Sequence, residues 1–447
     1  MAEKMKPSGI DWIGDIPNNW ETSRIKYHYQ ISLGKMLQPI QENSTDTLEH
    51  YMCSANITWA GVDTSILKQM WFSPAEKKQY RLLDGDLLVS EGGDVAVSCI
   101  WRNELDECYL QNAVHRVRQN ALSDNRFIYY WLFFLKNYGI VDLVCNKATI
   151  AHFTKEKFGE LPICIMSIDE QVAIADFLDK ECAQIDSIAA DLEKQIALLQ
   201  QYKKSLITET VTKGLDKSVP MKDSGVEWIG EIPVGWELSR VKYLTDNHHP
   251  YPIGDGDHGM IKADDYLTEG IPYIRVLNLT WGSGLNLENL VFISKEMNSL
   301  IKNSELKPND ILIAKTGATI GKTAIVPDSL PVSNTTSHVG KITLANVHDA
   351  KYFYYVMTSS IVQKQIQDIS AMQSTRPELG IEGLKNLILT VPPFDIQQHI
   401  ARFLDDHCAK IDRVLHEKCK QLSVIKQHKK SLIYEYVTGK KRVKEVR

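Results

Sequence analysis

The segment at residues 317–323 carries the residue types that could bind a nucleotide phosphate. It reads G-A-T-I-G-K-T, and a nucleotide-binding loop uses two glycines, a lysine and a hydroxyl residue to hold phosphates. Here three residues separate the glycines where the nucleotide loop has four. An apolar Ala-Ile-Val run and Pro327 then follow where a helix would have to begin. We therefore expect no ATP site, and either a plain β-turn or a recognition loop.

A second segment, Pro392-Pro393-Phe394, is similar to part of an adenine methyltransferase site. In such a site an Asn or Asp precedes the prolines and binds the amino group of the base, but Val391 stands there in this chain. The sequence also has no glycine loop for S-adenosylmethionine. A turn that leads into a helix is the better interpretation, and we assign no catalytic residue.

The polar residues between positions 248 and 258 are the best candidates for metal ligands, but their spacing is unsuitable. They lie in a segment punctuated by Gly and Pro rather than at helical ligand spacing. The eight cysteines form no C-x-x-C pair, so neither a zinc ribbon nor a redox pair is indicated. We predict reduced, buried thiols and no metal site. The polar residues, predicted to lie at the surface, are His248, His249, Asp255, Asp257 and His258.

The elements that must position any site come as an internal repeat. Residues 8–27 (SGIDWIGDIPNNWETSRIKY) and residues 224–243 (SGVEWIGEIPVGWELSRVKY) are identical at 13 of 20 positions. A second pair, residues 170–215 and residues 396–441, lies 226 positions apart and shares FLD, ID and KKSLI. The chain is therefore one unit used twice.

Between these paired ends the two halves differ almost everywhere. One similarity remains, a strand, a Gly-containing turn and another strand predicted at residues 84–97 and again from residue 309 onwards. Matching frames thus enclose divergent inserts, which favours one architecture that presents two different surfaces. The duplicated tryptophans, expected to anchor each domain by packing, are Trp12, Trp20, Trp228 and Trp236.

The second repeat has the seven-residue period of a long helix that pairs with another helix. Apolar residues recur every seven positions, and Ile188 and Tyr202 follow three positions after two of them, as in a coiled-coil seam. No Gly or Pro interrupts either copy before Gly214 and Gly439, so each helix should run about 40 residues, or about 60 Å. The simplest partner for each seam is the other helix, and the alternative is two separate core helices. The residues assigned to helix pairing are Leu178, Ile185, Leu192, Leu199, Leu206, Leu404, Ile411, Lys418, Ile425 and Leu432.

Composition supports large folded cores and disfavours several classes of protein. The 447 residues are 43% apolar, which suits two to four domains. The longest apolar run, residues 127–135, is far shorter than the roughly 20 residues of a membrane span, and the first 20 residues lack a secretion signal. We therefore expect a cytoplasmic protein without membrane contact. The net charge of −5 is unlike a nucleic-acid binder, but residues 402–447 hold 13 Lys and Arg against 6 Asp and Glu, so charge alone decides nothing.

The repeated motifs resemble the specificity subunits of Type I restriction-modification systems. The second half carries IGDGDHG at residues 253–259, GIPYIRVLN at residues 270–278 and TGATIGKTAIV at residues 316–326, all similar to recognition domains of that family. The first half resembles a different recognition-domain type through GDLLVSEGG at residues 85–93 and QNAVHRVR at residues 111–118. With the twin W-I-G-x-I-P-x-x-W motifs and twin helices, the resemblance covers essentially the whole chain.

The resemblance implies an α/β fold with two target recognition domains, each a mixed α/β globule followed by a long α-helix. The two helices would pair as an antiparallel coiled coil with pseudo-two-fold symmetry. The expected boundaries are residues 1–160 and 217–390 for the recognition domains, and residues 165–215 and 393–440 for the spacer helices. Two unequal domains on one chain should read an asymmetric, bipartite DNA site, because a palindrome requires equal halves. The helix length would then fix the gap between the two words.

The resemblance also implies a non-catalytic subunit whose partners are double-stranded DNA, two methyltransferase subunits and two restriction and translocase subunits. This chain would hold no cofactor, and S-adenosylmethionine, ATP and Mg would bind the partner subunits. Two other classes remain open. One is a coiled-coil scaffold for protein partners without DNA contact. The other is a self-sufficient methyltransferase or nuclease, which the missing cofactor loop and acidic metal cluster disfavour.

For DNA contact we select polar residues in the family-like segments. Arg and Lys can read guanine edges and Asn or Gln adenine, although the same residues also bind phosphates. The candidates in the first domain are Lys35, Glu91, Gly92, Gln111, Asn112, His115, Arg116 and Arg118. The candidates in the second domain are His258, Arg275, Lys315, Thr316, Lys322, Thr323, Ser374, Thr375 and Arg376.

Overall fold

The structure is a computed structural model that describes residues 4–145, 152–282, 284–371 and 377–443. The chain divides into two compact units, and each combines a globular region with parts of two long helices. Unit 1 consists of Met1–Glu193 and Lys420–Arg447, and unit 2 consists of Lys194–Cys419. Unit 1 is therefore assembled from both ends of the chain.

Unit 1 is built on a four-stranded antiparallel sheet, called central sheet 1, covered by one aromatic helix. The helix Asn125–Asn137 begins at Asp124, whose carboxylate accepts hydrogen bonds from the backbone amides of Arg126 and Phe127. Its aromatic side chains form the main core together with Leu87 and other apolar residues of the sheet. The strands of central sheet 1, in spatial order, are Ser98–Ile100, Leu87–Ser90, Val114–Gln119 and Tyr29–Leu33. The other strands are Met5–Pro7, Asp15–Pro17, Glu21–Arg24, Thr47–Met52, Ile57–Thr58, Gly61–Val62, Lys68–Phe72, Tyr109–Leu110 and Pro162–Ile165, and the short helices are Pro74–Tyr80, Ile140–Val144 and Lys155–Glu160.

Unit 2 repeats this plan with a different sequence. Its helix Ala350–Thr358 begins at Asp349, whose carboxylate accepts from the backbone amide of Tyr352, and it packs on the four-stranded central sheet 2. The strands of central sheet 2, in spatial order, are Ile253–Asp255, Val339–Ile342, Ile311–Ala314 and Thr323–Ile325. The other strands are Met221–Asp223, Glu231–Pro233, Glu237–Arg240, Ile271–Ile274, Val291–Ile293, Asn334–Thr335 and Ile388–Val391, and the other short helices are Lys295–Leu300, Ser360–Ala371 and Ile381–Lys385. The expected mixed α/β fold is confirmed in both units.

Two long helices follow the two globular regions. The first long helix is Ile168–Lys213, with 46 residues, and the second long helix is Phe394–Val437, with 44 residues. At 1.5 Å per residue they measure about 65–70 Å. Gly214 directly follows the first long helix and Gly439 lies two residues beyond the second. Their φ values of 74° and 71° are the left-handed conformation in which glycine commonly ends a helix.

The apolar residues that recur every seven positions are buried or half-buried, but the two residues that follow three positions later are exposed. Six of the ten residues assigned to helix pairing are buried, and four are half-buried, including Lys418. Ile188 and Tyr202, which continue the pattern three positions on, are 48% and 55% exposed. The buried face of the first long helix is therefore narrower than a complete seam requires. The buried six are Leu178, Ile185, Leu192, Leu404, Ile411 and Leu432.

Within each unit, segments of the two long helices contact each other in antiparallel orientation. In unit 1 the ring of Phe177 packs on Tyr436 with centroids 4.4 Å apart, and further along Lys429 donates to both carboxylate oxygens of Asp186 at 2.7 Å. In unit 2 Lys203 makes the same bond to Asp412 at 2.6 and 2.7 Å. Asp186 and Asp412 are repeat equivalents, 226 positions apart, and so are Lys203 and Lys429. The duplication is therefore retained as contacts and not only as sequence.

The duplicated N-terminal motifs receive the ends of the long helices. In unit 1 a Cβ on Gly439 would lie 2.4 Å from Cδ of Pro17 and 3.0 Å from the Trp20 ring, so only glycine fits there. In unit 2 a Cβ on Gly214 would lie 3.2 Å from the Trp236 ring. Trp20 and Trp236 are buried, as the anchoring interpretation expects, whereas Trp228 is 53% exposed. Each motif therefore forms a socket for a helix end.

Candidate nucleic-acid interface

One edge of each central sheet carries polar residues at equivalent positions. The register aligns Leu33, His115 and Val89 in a row across central sheet 1. Asp255, Gly340 and Ile313 form the corresponding row in central sheet 2. Two residues beyond Val89 lies Glu91, and two residues beyond Ile313 lies Lys315.

A backbone hydrogen bond supports this equivalence. The amide of Glu91 donates to the carbonyl of Ala113 at 2.9 Å, and the amide of Lys315 donates to the carbonyl of His338 at 2.9 Å. Both residues directly follow the first strand of the predicted strand–turn–strand segment, whose two strands are antiparallel neighbours in both units. The same site in the repeated fold therefore holds a carboxylate in unit 1 and an ammonium in unit 2.

In unit 1 this edge holds four of the candidates selected from the sequence. Glu91, Gly92, Gln111 and Asn112 are all half-buried. Gln111 accepts from the amide of Ala113 and donates to Asn112, so its amide is held in one orientation. Burial raises the pKa of Glu91, an effect that the nearby His152 opposes. The edge thus presents carboxylate and amide groups that can accept or donate hydrogen bonds.

The basic candidates of unit 1 have partners inside the protein. Lys35, 5% exposed, donates to Glu76 and Gln38. His115 is fully buried, with Nε2 2.6 Å from the carbonyl oxygen of Phe153. Both groups are buried and bonded inside unit 1, so the geometry gives them a structural role and does not support their prediction as DNA contacts.

Arg116 and Arg118 likewise point into the unit. Arg116 donates to the carbonyls of Gln79 and Arg81 at 3.0 and 2.9 Å. Arg118 makes a bidentate pair with Asp86 at 2.6 and 2.9 Å. A bidentate arginine–carboxylate pair holds neighbouring segments together, and this geometry also gives no support to DNA contact by these two residues.

In unit 2 the equivalent edge is a polar pocket of about 270 Å³. Lys315, only 2% exposed, donates to Oδ2 of Asp255 and lies 4.0 Å from Oε1 of Glu378. The other oxygen of Asp255, Oδ1, lies 3.1 Å from Nε2 of His258. One buried carboxylate therefore orients both a lysine and a histidine. The pocket is lined by Asp255, His258, Lys315, Thr316, Ser337, His338 and Glu378.

The loop before the pocket has an unusual backbone. His258 has φ of 47°, which is uncommon outside glycine and occurs often at functional sites. A Cβ on Gly256 would lie 1.9 Å from the carbonyl oxygen of Thr335, so only glycine allows this close approach. Burial opposes ionisation of Asp257, but hydrogen bonds from Ile261 and other groups outweigh it and lower its pKa. The Gly-Asp-Gly-Asp-His-Gly segment is thus fixed by tertiary contacts.

The remaining candidates of unit 2 are dispersed. Thr316 lies on the pocket rim with Oγ1 3.2 Å from Nδ1 of His338. Arg275 donates to the carbonyl of Asn289 and packs over Tyr266. Lys322 is half-buried, and Thr323 is buried with its hydroxyl bonded to Gly321. The predicted contacts Ser374, Thr375 and Arg376 lie outside the described residues.

Sequence reasoning missed three pocket residues, Ser337, His338 and Glu378. Ser337 and His338 directly precede the strand Val339–Ile342, as Asn112 and Ala113 precede Val114–Gln119 in unit 1. Aligning these strands by register would have found them. Glu378 is brought to the pocket by an isolated bridge to Thr316, and no sequence signal predicts that bridge.

The structure also tests the near-miss motifs. Gly317–Thr319 forms one 3-10 turn, and the strand Thr323–Ile325 follows it, so the helix that a nucleotide phosphate loop needs is not formed there. Among the described residues no cluster of three His, Cys, Asp or Glu side chains could hold a metal ion. No helix within the described ranges is long and apolar enough to cross a membrane.

A repeated α/β unit, joined by long helices and carrying unlike polar sites at one sheet edge, defines a class of protein that presents two different recognition surfaces. Residues 17–198 and 256–426 match the family described as the Type I restriction modification DNA specificity domain. The chain belongs to this family.

Individual relatives cover most of the chain. It is 25% identical over 350 residues to the Type I restriction enzyme EcoBI specificity subunit of Escherichia coli, which covers 77% of this chain and 71% of that protein. It is 23% identical over 442 residues to the MjaVIII specificity subunit of Methanocaldococcus jannaschii, covering 96% and 95%. A solved chain described under "Structural basis underlying complex assembly and conformational transition of the type I R-M system" has a TM-score of 0.68 and 13% identity, covering 94% and 98%. That likeness supports the fold.

Proposed function

We propose that this chain is the DNA-reading subunit of a Type I restriction-modification complex and recognises an asymmetric site of two separated words. The observation that carries the proposal is the equivalence of the two sheet-edge sites, where Glu91 and Lys315 occupy the same place with opposite charge. A repeated frame explains why there are two readers. The difference in chemistry explains why they should read different bases, since carboxylates accept from base amino groups whereas lysine donates to guanine acceptors.

We propose further that the chain performs no catalysis. Methyl transfer and DNA cleavage would belong to partner subunits, which would bind S-adenosylmethionine, ATP and Mg. The nucleotide-loop and methyltransferase-like motifs support this because each lacks a required residue or element. The chain would position the partners on DNA.

Exposed apolar residues on the long helices support partners that bind in two copies. In unit 1, Ile188 and Val424 are 48% and 59% exposed on the helix segments that pair through Asp186 and Lys429. In unit 2 their repeat equivalents, Val414 and Leu198, are 43% and 54% exposed. Each unit therefore presents one exposed apolar residue from each long helix, as binding of two copies of a methyltransferase subunit would require.

The decisive experiment maps methylated adenines in DNA exposed to the complex of this chain with its methyltransferase subunit. Wild type should modify a two-word site. Exchange of residues 28–160 for those of another family member should change one word only, and exchange within residues 244–387 should change only the other. Methylation of a single continuous word, or a change of both words by one exchange, would refute the division of labour. Absence of any DNA protection by the complex would favour the scaffold.

We propose that the length of the two long helices sets the gap between the two words. Seven inserted residues lengthen a helix by about 10.5 Å, or about three base pairs. Matched insertions of one heptad in both long helices should widen the gap and leave both words intact. Altered words with an unchanged gap would show that helix length does not set the spacing.

A further inference from the structure

The pocket of unit 2 has a feature that stability alone does not explain. Lys315 and Asp255 form an ion pair in which the side chains are 3% and 8% exposed. Removing two charges from water is costly, and apolar residues of similar volume often do as well or better. In central sheet 1 the position equivalent to Asp255 is occupied by Leu33, an apolar residue. The fold therefore does not need the pair.

The chain also makes room for the lysine. A Cβ on Gly340 would lie 3.1 Å from Cδ of Lys315, so the lysine stem runs against a glycine. In unit 1 the equivalent of Gly340 is His115, whose ring is bonded to the carbonyl of Phe153. The residues at three equivalent positions thus differ between the two units, and those of unit 2 place an ammonium group in the pocket.

The charges of the pocket indicate what it accepts. An ammonium group has three donors, and Asp255 accepts one of them from Lys315. Two carboxylates, Asp255 and Glu378, face this one lysine, so among its carboxylate and ammonium groups the lining has an excess of negative charge. A phosphate would be repelled by that excess, whereas a neutral base edge with strong acceptors would be attracted by the lysine. Guanine O6 and N7 form such an edge in the major groove.

The equivalent residue of unit 1 has the complementary chemistry. Glu91 is half-buried at the same place, and Gln111 and Asn112 lie beside it on the same sheet edge. An ionised carboxylate has only acceptors and suits the exocyclic amino group of cytosine or adenine. Two basic candidates of unit 1, Lys35 and His115, have partners elsewhere in the unit, whereas His152 lies close enough to Glu91 to lower its pKa.

We propose that Lys315 and Glu91 are the specificity-determining residues of their units. Lys315 donates from the pocket to the acceptor edge of a guanine, and Glu91 accepts from the amino group of a cytosine or an adenine. In unit 2, His258 and His338 frame the pocket and limit which base pair can approach it. This inference rests on the proposed function and names the residues through which each unit reads DNA.

The test uses the full complex of this chain with its methyltransferase subunit and a library of randomised DNA. Methylated molecules are selected and sequenced, which gives the base preference at every position of both words. Lys315→Met should lower the preference for guanine at one position of one word by about tenfold or more, and leave the other word unchanged. Glu91→Met should relax one position of the other word to a similar extent.

Two further variants keep the test decisive. Lys315→Met leaves the buried Asp255 unpaired, so Asp255→Leu with Lys315→Met removes both charges and copies the apolar residue found in unit 1. Lys295→Met, an exposed lysine of unit 2 outside the pocket, should leave both words intact.

Three outcomes are distinguishable. Loss of guanine preference in one word supports the proposal. Uniform weakening on all sequences with a shallower salt dependence would show a phosphate contact, and unchanged words in the folded double variant would show that the pocket does not read DNA. Either of the last two overturns the proposal. A wild-type complex that selects no two-word site would instead contradict the proposed function.

Discussion

Single residues show which polar groups serve the fold and which remain available for recognition. Arg116 and Arg118 were selected because they lie in the family-like segment QNAVHRVR. They are two positions apart on the strand Val114–Gln119 and so lie on one face of it. In the structure the chain around Gln79 and Arg81 covers that face, and its carbonyls accept from both guanidinium groups. Such coverage depends on residues 35–37 positions away, so no local pattern predicts it.

His115 leads to a prediction about pH. Burial lowers its pKa, although the hydrogen bond to Phe153 opposes this. The unfolded chain therefore binds a proton below about pH 6.5 more readily than the folded chain, and the stability that His115 contributes above that pH is lost as the pH falls. The free energy of unfolding should decrease by up to about 1.4 kcal/mol per pH unit for this group.

Urea unfolding at pH 7.5 and pH 5.5 measures this effect. His115→Gln should reduce the difference between the two midpoints, while His428→Gln, an exposed residue of the second long helix, should not. Equal differences in wild type and His115→Gln would contradict the assignment.

Gly439 gives a second prediction at this scale, with Gly9 as its matched control. Both have φ near +70°, so alanine at either site costs about 1 kcal/mol of backbone strain. A Cβ at residue 439 would also collide with Pro17, whereas a Cβ at Gly9 has no neighbour within 4 Å. Gly439→Ala should therefore destabilise the protein by about 1–3 kcal/mol more than Gly9→Ala in thermal unfolding. Equal losses would mean that the socket is not tightly packed.

At the scale of elements, the long helices were the most predictable part of the fold. Their apolar period and glycine stops depend only on neighbouring residues, and the structure has helices at Ile168–Lys213 and Phe394–Val437. The second row of the expected seam failed at Ile188 and Tyr202 because burial depends on what covers a helix face, which the period does not specify. The candidate site was less predictable, since register across central sheet 2 brings together residues as distant as Asp255 and His338.

The duplicated ion pairs give a prediction about helix pairing. Asp186 and Asp412 are 59% and 45% exposed, so solvent screens both pairs and each should contribute less than about 1 kcal/mol. A double-mutant cycle with Asp186→Asn and Lys429→Met measures one coupling energy, and Asp412→Asn with Lys203→Met measures the other. Both should be favourable at low salt and smaller in 0.5 M salt. Zero coupling in both cycles would leave the apolar contacts as the source of pairing.

At the scale of the whole molecule, unit 1 depends on the C-terminal segment of the chain. Lys440 donates to the carbonyl of Asp15, and Arg442 pairs with Glu170 and packs over Trp20. Lys440 and Arg442 thus have partners within unit 1.

Deletion of residues 438–447 should therefore destabilise unit 1 selectively. Amide hydrogen exchange should accelerate in Asp15–Pro17 and its neighbours and remain unchanged in central sheet 2. Deletion of residues 444–447 alone retains Gly439 and Arg442 and should leave both units as they are. Equal acceleration in both units after the longer deletion would show that the effect is not confined to unit 1.

The assembly of unit 1 from both chain ends has a consequence during protein synthesis. Unit 2 is continuous, so all of its residues have been synthesised once Cys419 is made, while residues 1–193 still lack the segment Lys420–Arg447. At roughly 5–20 residues per second, the interval between Glu193 and Lys420 lasts about 10–45 s. During that time the Trp20 socket and the apolar face around Phe177 lack the C-terminal residues that pack against them in the complete chain. The half of the protein that is translated first is therefore the half that is completed last.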